Sequence, residues 1–288
     1  MIQVGDLKLY SVSGGRMKLD GGTMFGVVPK LLWQRYMPAD DDNRIDQDTN
    51  CLLIQSDDEW ILVDTGFGSK LSDKRRRQMN IEAGNHLFDG LAALGVSPQD
   101  ISTVILTHLH FDHAGGCTVF NDVGEQVPAF PNARYVAQQA EWDDAVSDAP
   151  ELFGAYFKED LLPIQAQLDL VDSHVQLRHQ IRLERVPGHT RGHQIVWLGD
   201  NDSEAIYLGD LCPTASHLPT LWTMSYDQYP LTTRREKFRI LDQACDRGSI
   251  VLFDHDPKII AATLKPDPRR QFAIDTIVQA AGEPDQRA

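Results

Sequence analysis

Cysteine is scarce in this sequence, and the few that occur stand apart from one another. The 288 residues include four cysteines, at positions 51, 117, 212 and 245, and no two of them form a C-x-x-C pair. This pattern excludes a disulfide-stapled scaffold. It predicts reduced thiols that pack as small apolar side chains in a cytoplasmic protein.

Long apolar runs are missing as well. Nowhere do about 18 apolar residues follow one another, so we expect no transmembrane helix. Residues 1–10 contain Asp6 and Lys8 and no apolar stretch, so we also expect no secretory signal. No membrane partner is therefore predicted.

Positive charge is in short supply. Lys and Arg number 27 against 42 Asp and Glu, which gives a formal net charge of −15 at pH 7. Proteins that bind DNA or RNA neutralise phosphates with Lys and Arg, and this chain would repel a polyanion over most of its surface. The basic run from Lys74 to Arg77 is too short to reverse that balance, so no nucleic-acid partner is expected.

Short β-like runs and a few helical patterns fill most of the chain. The predicted strands are 49–55, 60–64, 101–106, 181–186, 194–198, 205–208 and 250–253. The predicted helices are 85–94, 232–244 and a segment that begins near Ala137. Strands and helices in two similar halves favour an α/β (α+β) fold in which two sheets stack face to face with helices outside. We expect a single domain over residues 1–288, with an N-terminal extension over about 1–48 and a frayed tail over about 282–288.

Two segments do not fit this pattern. Gly21–Trp33 is apolar but interrupted by glycines and Pro29, and it would suit the interface of a homodimer. Met37–Asp48 is polar and acidic. A solvated loop is the simple interpretation of this second segment, and a device that disfavours anionic substrates is the alternative.

Potential metal ligands crowd into the stretch Thr107–Gly116, which reads THLHFDHAGG. In an extended segment, residues two apart point to the same side, so His108 and His110 can reach one ion. Asp112 and His113 then turn with the loop toward a neighbouring point. Imidazole and carboxylate ligands together suit Zn²⁺ and its first-row relatives. The stretch therefore predicts a metal site.

Three further candidate ligands each follow a β-like run. They are His189 in VPGHTRGH, Asp210 in LGD and His255 in FDHDP. Each lies where a rigid strand gives way to a loop. Scattered ligands in the same local context indicate a site assembled across the edges of sheets.

In this combination the sequence resembles the metallo-β-lactamase superfamily of metallohydrolases. The resemblance rests on H-x-H-x-D-H at 108–113, on His189, Asp210 and His255 in the expected order, and on DTG at 64–66 after a strand. It covers roughly residues 49–256. It implies a four-layer αβ/βα sandwich with a two-metal site at one edge.

The resemblance also implies a role for each ligand. The first metal would be held by His108, His110 and His189. The second metal would be held by Asp112, His113 and His255. Asp210 would bridge the two ions, and Asp64 would organise the histidine loop without touching a metal. The two divalent ions are expected to be zinc, and manganese, cobalt and iron also suit the ligand set.

Hydrolysis of β-lactams is not expected. In the antibiotic-hydrolysing members of the superfamily a cysteine often stands among the ligands of the second metal. The corresponding position here is Asp210, and Cys212, two residues later, is predicted to be a packing residue.

A two-metal site of this kind supports hydrolysis without a serine or cysteine nucleophile. Two ions about 3.5–4 Å apart share a water, lower its pKa toward neutrality and polarise a carbonyl or phosphoryl oxygen. Asp112 is predicted to orient the hydroxide and to carry a proton to the leaving group. Tyr226 is predicted to hydrogen-bond a carbonyl or leaving oxygen, with Tyr207 and Tyr229 as alternatives.

Apolar side chains in two loop-like segments are candidates for the substrate pocket. They are Met24, Phe25, Trp33, Trp222 and Met224. If they line the site, the substrate has a hydrophobic part; core or dimer packing is the alternative. His217 follows Asp210 by seven residues, and it is a candidate for contacting the substrate or supporting a metal ligand.

The long N-terminal segment resembles that of the lactonase and organophosphate-hydrolase branch of the superfamily. We therefore predict a hydrolase that opens a lactone or cleaves a neutral ester, with phosphotriesters as promiscuous substrates. One alternative is a glyoxalase II-like thioesterase, for which Arg234, Arg235 and Lys237 would contact the anionic glutathione moiety. Another is an oxidoreductase like the mononuclear-iron persulfide dioxygenases. The charge of −15 suits a neutral substrate best and counts against a tRNA-processing nuclease.

Overall fold

Two seven-stranded sheets form the centre of the protein, whose computed structural model describes residues 1–152, 154–200 and 202–278. The strands of the first half are β1 (Ile2–Val4), β2 (Leu7–Asp20), β3 (Arg44–Ser56), β4 (Glu59–Val63), β5 (Ile101–Ile105), β6 (Thr118–Phe120), β7 (Gln126–Pro128), β8 (Arg134–Gln138) and β9 (Leu168–Val171). Those of the second half are β10 (His174–Arg178), β11 (Ile181–Arg185), β12 (Gln194–Gly199), β13 (Glu204–Tyr207), β14 (Ile250–Leu252), β15 (Ala261–Asp267) and β16 (Gln271–Ile277). The first sheet has the order β1-β2-β3-β4-β5-β8-β9, the second runs from β10 to β16 in sequence, and β6 pairs with β7 separately. The frayed tail predicted at 282–288 lies outside the described residues.

The helices are short, apart from the last. They are α1 (Gly21–Phe25), α2 (Lys30–Trp33), α3 (Asp73–Gln78), α4 (His86–Ala93), α5 (Phe111–Ala114), α6 (Gln139–Ala145), α7 (Lys158–Leu161) and α8 (Pro230–Arg247). Helix α8 begins with Pro230, whose missing N–H is tolerated in the first turn, and it ends at Gly248, which takes the left-handed conformation with φ 66°. Among the described residues, no helix has both the length and the apolar character that a bilayer crossing requires.

Three apolar cores separate four layers. Between the sheets, the core includes Leu52, Ile61, Val63, Leu183 and Val196. On the outer face of the first sheet, α4 and α6 contribute Leu87, Leu91 and Trp142. On the outer face of the second sheet, α8 contributes Ile240, Leu241 and Ala244. The predicted α/β sandwich, with sheets inside and helices outside, is confirmed.

The N-terminal segment belongs to the first sheet. Strand β2 pairs antiparallel with β3 along nearly its whole length, with one irregularity between Ser13 and Arg16. The segment predicted as an N-terminal extension over about 1–48 thus supplies the first sheet with β1, β2 and the beginning of β3. The acidic segment Met37–Asp48 is a loop only as far as Asn43, because β3 begins at Arg44.

The apolar segment Gly21–Trp33, which no predicted strand or helix included, folds into α1 and α2. Four large apolar side chains on it and just after it are exposed: Val27, Leu31, Leu32 and Tyr36. The homodimer suggested for this segment stays a prediction.

The candidate ligands lie on loops that follow strands with a common direction. Strands β4 and β5 run parallel, and so do β13 and β14. Strand β11 has the direction of β13, because both pair antiparallel with β12. The loops after these strands carry Asp64, residues 108–113, His189, Asp210 and His255. Each sheet therefore presents its ligands at one edge.

Candidate metal centre

Asp64 fixes the position of the histidine loop. It follows β4 with a φ of 58°, a conformation that non-glycine residues adopt rarely. Its carboxylate accepts hydrogen bonds from the backbone N of Thr107 (2.8 Å), the hydroxyl of Thr107 (2.8 Å) and Nδ1 of His113 (2.9 Å). Because Nδ1 of His113 is engaged in this way, its Nε2 is left to face the centre.

Three imidazole nitrogens meet in a first group. Nδ1 of His110 lies 3.1 Å from Nε2 of His108 and 3.0 Å from Nε2 of His189. The other ring nitrogens of His108 and His189 already have hydrogen-bond partners. Nδ1 of His108 donates to the hydroxyl of Thr107 (3.1 Å), and Nδ1 of His189 donates to Asp227 (2.9 Å). The facing nitrogens of these two rings are therefore the ones left to bind a shared ion.

A second group forms around His113 and His255. Their Nε2 atoms lie 3.1 Å apart, and Nδ1 of His255 donates to the backbone carbonyl of Asp48 (2.7 Å). The carboxylate of Asp112 lies 3.6 Å from Nε2 of His255 and 4.0 Å from Nε2 of His113. This group thus combines two imidazoles with a carboxylate.

Asp210 lies between the two groups. Its Oδ2 is 2.9 Å from Nε2 of His189 and 3.7 Å from Nε2 of His108, whereas its Oδ1 is 3.3 Å from Nε2 of His255. One carboxylate therefore faces both groups. The structure brings together all seven side chains that the sequence analysis named as metal ligands.

The protein's own charges favour a cation at this point. Burial opposes protonation of His113 and His189, yet the surrounding carboxylates outweigh it and raise their pKa values to about 9 and about 10. Asp64 has the largest such effect on the pKa of His113, and Asp210 on that of His189. Buried carboxylates that draw protons onto neighbouring imidazoles attract a metal ion by the same electrostatics.

The donor atoms fit divalent ions of the zinc type. Nitrogens that bind one tetrahedral zinc at about 2.0–2.1 Å stand about 3.3 Å apart. Neighbouring nitrogens here are 3.0–3.1 Å apart in both groups. One set with mutually close donor atoms is His108, His110, His189 and Asp210, and a second is His113, Asp210, Asp254 and His255. Zinc binds a combination of imidazole and carboxylate ligands in proteins, and cobalt, iron and manganese also bind it.

Two buried carboxylates that position the ligands were not predicted from the sequence. Asp227 accepts the Nδ1 proton of His189 and so orients that ring. Glu141 accepts from the backbone N of Leu109 (3.0 Å) and from the hydroxyl of Thr190 (2.6 Å), which ties two ligand loops together. Neither residue stands at a recognisable spacing from a ligand, so the sequence carries no local signal for them.

A third unpredicted carboxylate, Asp254, directly precedes His255. Its Oδ2 lies 3.8 Å from Nε2 of His255 and 3.9 Å from Nε2 of His113. Its only signal in the sequence is its position beside the histidine in FDHDP.

The side chains predicted to line a pocket pack mainly against one another. Met24, Phe25, Trp33 and Met224 are buried, and Trp222 is partly buried beside them. The ring of Phe25 stacks on that of Trp33, with 5.2 Å between centroids, and meets Trp222 edge-on at 5.6 Å. The structure thus places them in a small apolar core that joins α1 and α2 to the loop before α8.

His217 lies in the same region with both ring nitrogens engaged. Its Nδ1 is 2.7 Å from the hydroxyl of Thr214, and its Nε2 is 2.8 Å from the backbone carbonyl of Met24. The ring stacks on Phe25 at 4.5 Å between centroids. Burial lowers its pKa to about 3, so the imidazole is neutral. These contacts anchor α1 to the second half of the chain.

The three tyrosines considered for catalysis have different surroundings. The hydroxyl of Tyr226 lies 2.8 Å from that of Thr23, and the side chain is 42% exposed. Burial raises the pKa of Tyr226 and the Asp112 carboxylate adds to this, which keeps the phenol protonated. Tyr207 is buried and donates to the backbone carbonyl of Asn50 (2.9 Å), whereas Tyr229 is exposed.

Lys237, one of the basic residues considered for binding glutathione, is buried. Its ammonium donates to the backbone carbonyls of His217 (2.9 Å) and Trp222 (2.6 Å). Burial lowers its pKa to about 8. The side chain is engaged in holding the loop before α8, so it does not offer a surface charge to an anionic substrate.

Comparison with known proteins agrees with the geometry. A family model described as the metallo-β-lactamase superfamily matches residues 44–255. An N-acyl homoserine lactonase from Bacillus thuringiensis is 25% identical over 274 residues, which cover 86% of this chain and 93% of the relative.

Two solved structures are similar over nearly the whole chain. One, described as a probable metal-dependent hydrolase from Staphylococcus aureus, is 31% identical with a TM-score of 0.87 and covers 96% of this chain and 100% of its own. The other, a dizinc quorum-quenching lactonase named AidC in complex with a product, is 21% identical with a TM-score of 0.78 and covers 97% of each chain; it supports the fold. The chain is a metal-dependent hydrolase and belongs to the metallo-β-lactamase superfamily.

Proposed function

We propose that the protein is a dinuclear-metal hydrolase that opens a lactone ring or cleaves a neutral ester, with phosphotriesters as promiscuous substrates. The observation that carries this proposal is the position of Asp210, whose two oxygens face two separate groups of imidazoles. When bound, two divalent ions supply Lewis-acid polarisation of the carbonyl and a hydroxide nucleophile at neutral pH. The lactone is favoured because relatives over most of the chain are N-acyl homoserine lactonases.

Asp112 and Tyr226 are the side chains that would move or hold protons. Asp112 lies at the rim of the second group, next to His255. It would hold the proton of the attacking water and deliver it to the ring oxygen when the acyl C–O bond breaks. Tyr226, a protonated phenol on the exposed side, would donate a hydrogen bond to the carbonyl or leaving oxygen.

The charge of the whole chain favours a neutral substrate. The formal net charge is −15 at pH 7, and the carboxylates at the centre would be offset by the two bound ions. Lys237 is one of the three basic residues considered for a thioesterase. Because its ammonium already donates to two backbone carbonyls, it cannot bind the glutathione moiety. A lactone or ester adds no negative charge to this environment, whereas glutathione does.

A substrate panel on protein of known metal content tests this function. We expect turnover of an N-acyl homoserine lactone and of an aryl ester, slower turnover of a phosphotriester, and two divalent ions per chain by elemental analysis. Protein stripped by a chelator, assayed in parallel, corrects for spontaneous ring opening.

Three outcomes would contradict the proposal. Turnover of S-lactoylglutathione without turnover of a lactone would indicate the thioesterase. A single iron per chain with oxygen consumption on a persulfide would indicate the oxidoreductase. Inactivity of the doubly loaded protein on both lactones and esters would exclude the proposed substrate class.

Tyr226→Phe tests the phenol on its own. A hydrogen bond to a developing charge contributes about 1.5–3 kcal/mol, so we expect kcat for the lactone to fall about 10- to 100-fold. Metal content should not change, because a phenol that bonds the hydroxyl of Thr23 supplies none of the proposed ligand atoms. Tyr229→Phe, three residues later and also exposed, is the matched control and should retain full turnover. Equal kcat in both variants would mean that the Tyr226 hydroxyl bonds Thr23 and has no role in turnover.

A further inference from the structure

Asp254 is a buried carboxylate that accepts no hydrogen bond. Its side chain is 1% exposed, and neither carboxylate oxygen has a hydrogen-bond donor. Among the described residues no Lys or Arg lies within ion-pair distance of it; its charged neighbours are His113 and His255, at 3.9 and 3.8 Å. Burying a carboxylate costs several kcal/mol unless a cation or donors compensate it. Within the protein only those two imidazoles can compensate it, when they are protonated, and a metal ion bound by them would replace their protons in that role.

The backbone holds this carboxylate in place. Asn50 of β3 donates from its backbone N to the carbonyl of Asp254 (2.6 Å), and its side-chain amide donates to the carbonyls of Phe253 (3.1 Å) and Asp256 (2.9 Å). The turn after β14 is thereby fixed to the first sheet. The backbone of Asp254 is therefore held beside the ligands.

We propose that Asp254 is an additional ligand of the ion held by His113 and His255. One oxygen of Asp254 belongs to the set of donor atoms, with His113, Asp210 and His255, that all lie within 4.8 Å of one another. The second position then has two imidazoles and the carboxylates of Asp112, Asp210 and Asp254. The first position has three imidazoles and only the shared carboxylate of Asp210.

The two positions therefore differ in their chemistry. Carboxylate oxygens suit harder ions such as Mn²⁺, whereas imidazole nitrogens suit Zn²⁺. Removing the Asp254 carboxylate weakens the second ion selectively, and it weakens Mn²⁺ there more than Zn²⁺. The role of Asp254 rests on the two-ion centre of the proposed function and not on its substrate: the metal titration below uses no substrate, so inactivity on lactones would leave this role unaffected.

Metal titration of Asp254→Asn tests the inference. The substitution keeps the size of the side chain and removes its charge. Chelator-stripped wild type and variant are titrated with Zn²⁺ against a chromophoric chelator and with Mn²⁺ by electron paramagnetic resonance. Outer partners of metal ligands already change affinity about 10- to 100-fold, so for a direct ligand we expect the Kd of the second ion to rise at least about tenfold. The Kd of the first ion should stay within about twofold of the wild-type value, a difference much smaller than the tenfold change expected for the second ion.

Asp256→Asn is the matched control. Asp256 lies in the same turn and is also buried, but its carboxylate accepts from the backbone N of Ala215, Lys258 and Ile259 and belongs to neither set of close donor atoms. This variant should bind both ions as wild type does, whatever its stability.

Thermal unfolding of the stripped proteins separates a ligand from a structural residue. The Asp254 carboxylate has no hydrogen bond to lose in the metal-free fold, so stripped Asp254→Asn should unfold close to the wild-type temperature and gain less from added metal. Wild-type affinity for the second ion in the folded variant would overturn the proposal. So would loss of the cooperative transition in the stripped variant, because the carboxylate would then support the fold without metal.

Discussion

His110→Ala is expected to lose bound metal and at least about 1000-fold in hydrolysis. Nδ1 of His110 faces both His108 and His189 at 3.0–3.1 Å, so its removal takes one of three nitrogens from the first group. The Lewis-acid effect of a bound ion is worth several kcal/mol, and each 1.4 kcal/mol is about a factor of ten in rate. Elemental analysis and initial rates at saturating substrate measure the two losses together.

His174→Ala is the control for this experiment. His174 is an exposed histidine on β10, outside the loops that carry the ligands. Its replacement should leave both metal content and rate unchanged. A His110→Ala protein that keeps two ions and its full rate would remove His110 from the centre.

Gly116→Ala is expected to destabilise the fold by about 3 kcal/mol or more. An added Cβ would stand 2.1 Å from the backbone carbonyl oxygen of Thr65. Neither backbone can retreat freely, because Thr65 donates to the carbonyl of His113 through its N (2.7 Å) and Gly116 donates to the carbonyl of Gly66 (3.0 Å). Overpacking in a protein core typically lowers the free energy of unfolding by about 1–3 kcal/mol. Because the clash here is with backbone that cannot move away, we expect a loss at the top of that range or above it.

The corresponding change in thermal unfolding is large enough to measure directly. At about 2–4 °C per kcal/mol for a chain of this size, the midpoint should fall by at least about 6 °C. Metal affinity should fall too, because the same loop carries His113. Gly22→Ala is the control: there the Cβ meets side-chain atoms and no backbone, with the Asp20 carboxylate at 2.9 Å, and alanine is favoured over glycine in a helix. Equal midpoints for the two variants would show that the loop adapts to the clash.

The sequence predicted the site better than it predicted the chain around it. His108, His110, Asp112 and His113 are close in sequence, so local geometry alone brings them together. His189, Asp210 and His255 were identified because each follows a strand, and strands with a common direction end at the same edge of a sheet. Both kinds of signal are short-range patterns, which a single sequence contains.

The missed features depend on contacts between distant residues. Strand β2 was hidden because Gly14 and Gly15 interrupt its alternation, at the irregularity in its pairing with β3. Pairing with a neighbour, rather than the local sequence, makes this segment a strand. Asp227 acts on His189 from 38 residues away. Such partners become visible only when the chain is folded.

The placement of the ligands has a consequence for how the chain holds together. The first sheet supplies residues 108–113, the second supplies His189, Asp210 and His255, and all four cysteines are free. An ion bound by both His113 and His255 would therefore close a loop of 142 residues and act as a cross-link between the halves of the chain. For a covalent cross-link, closing a loop of that order restricts the unfolded chain by about 5 kcal/mol. Because a metal clip is reversible, resistance to unfolding then follows the free concentration of the ion.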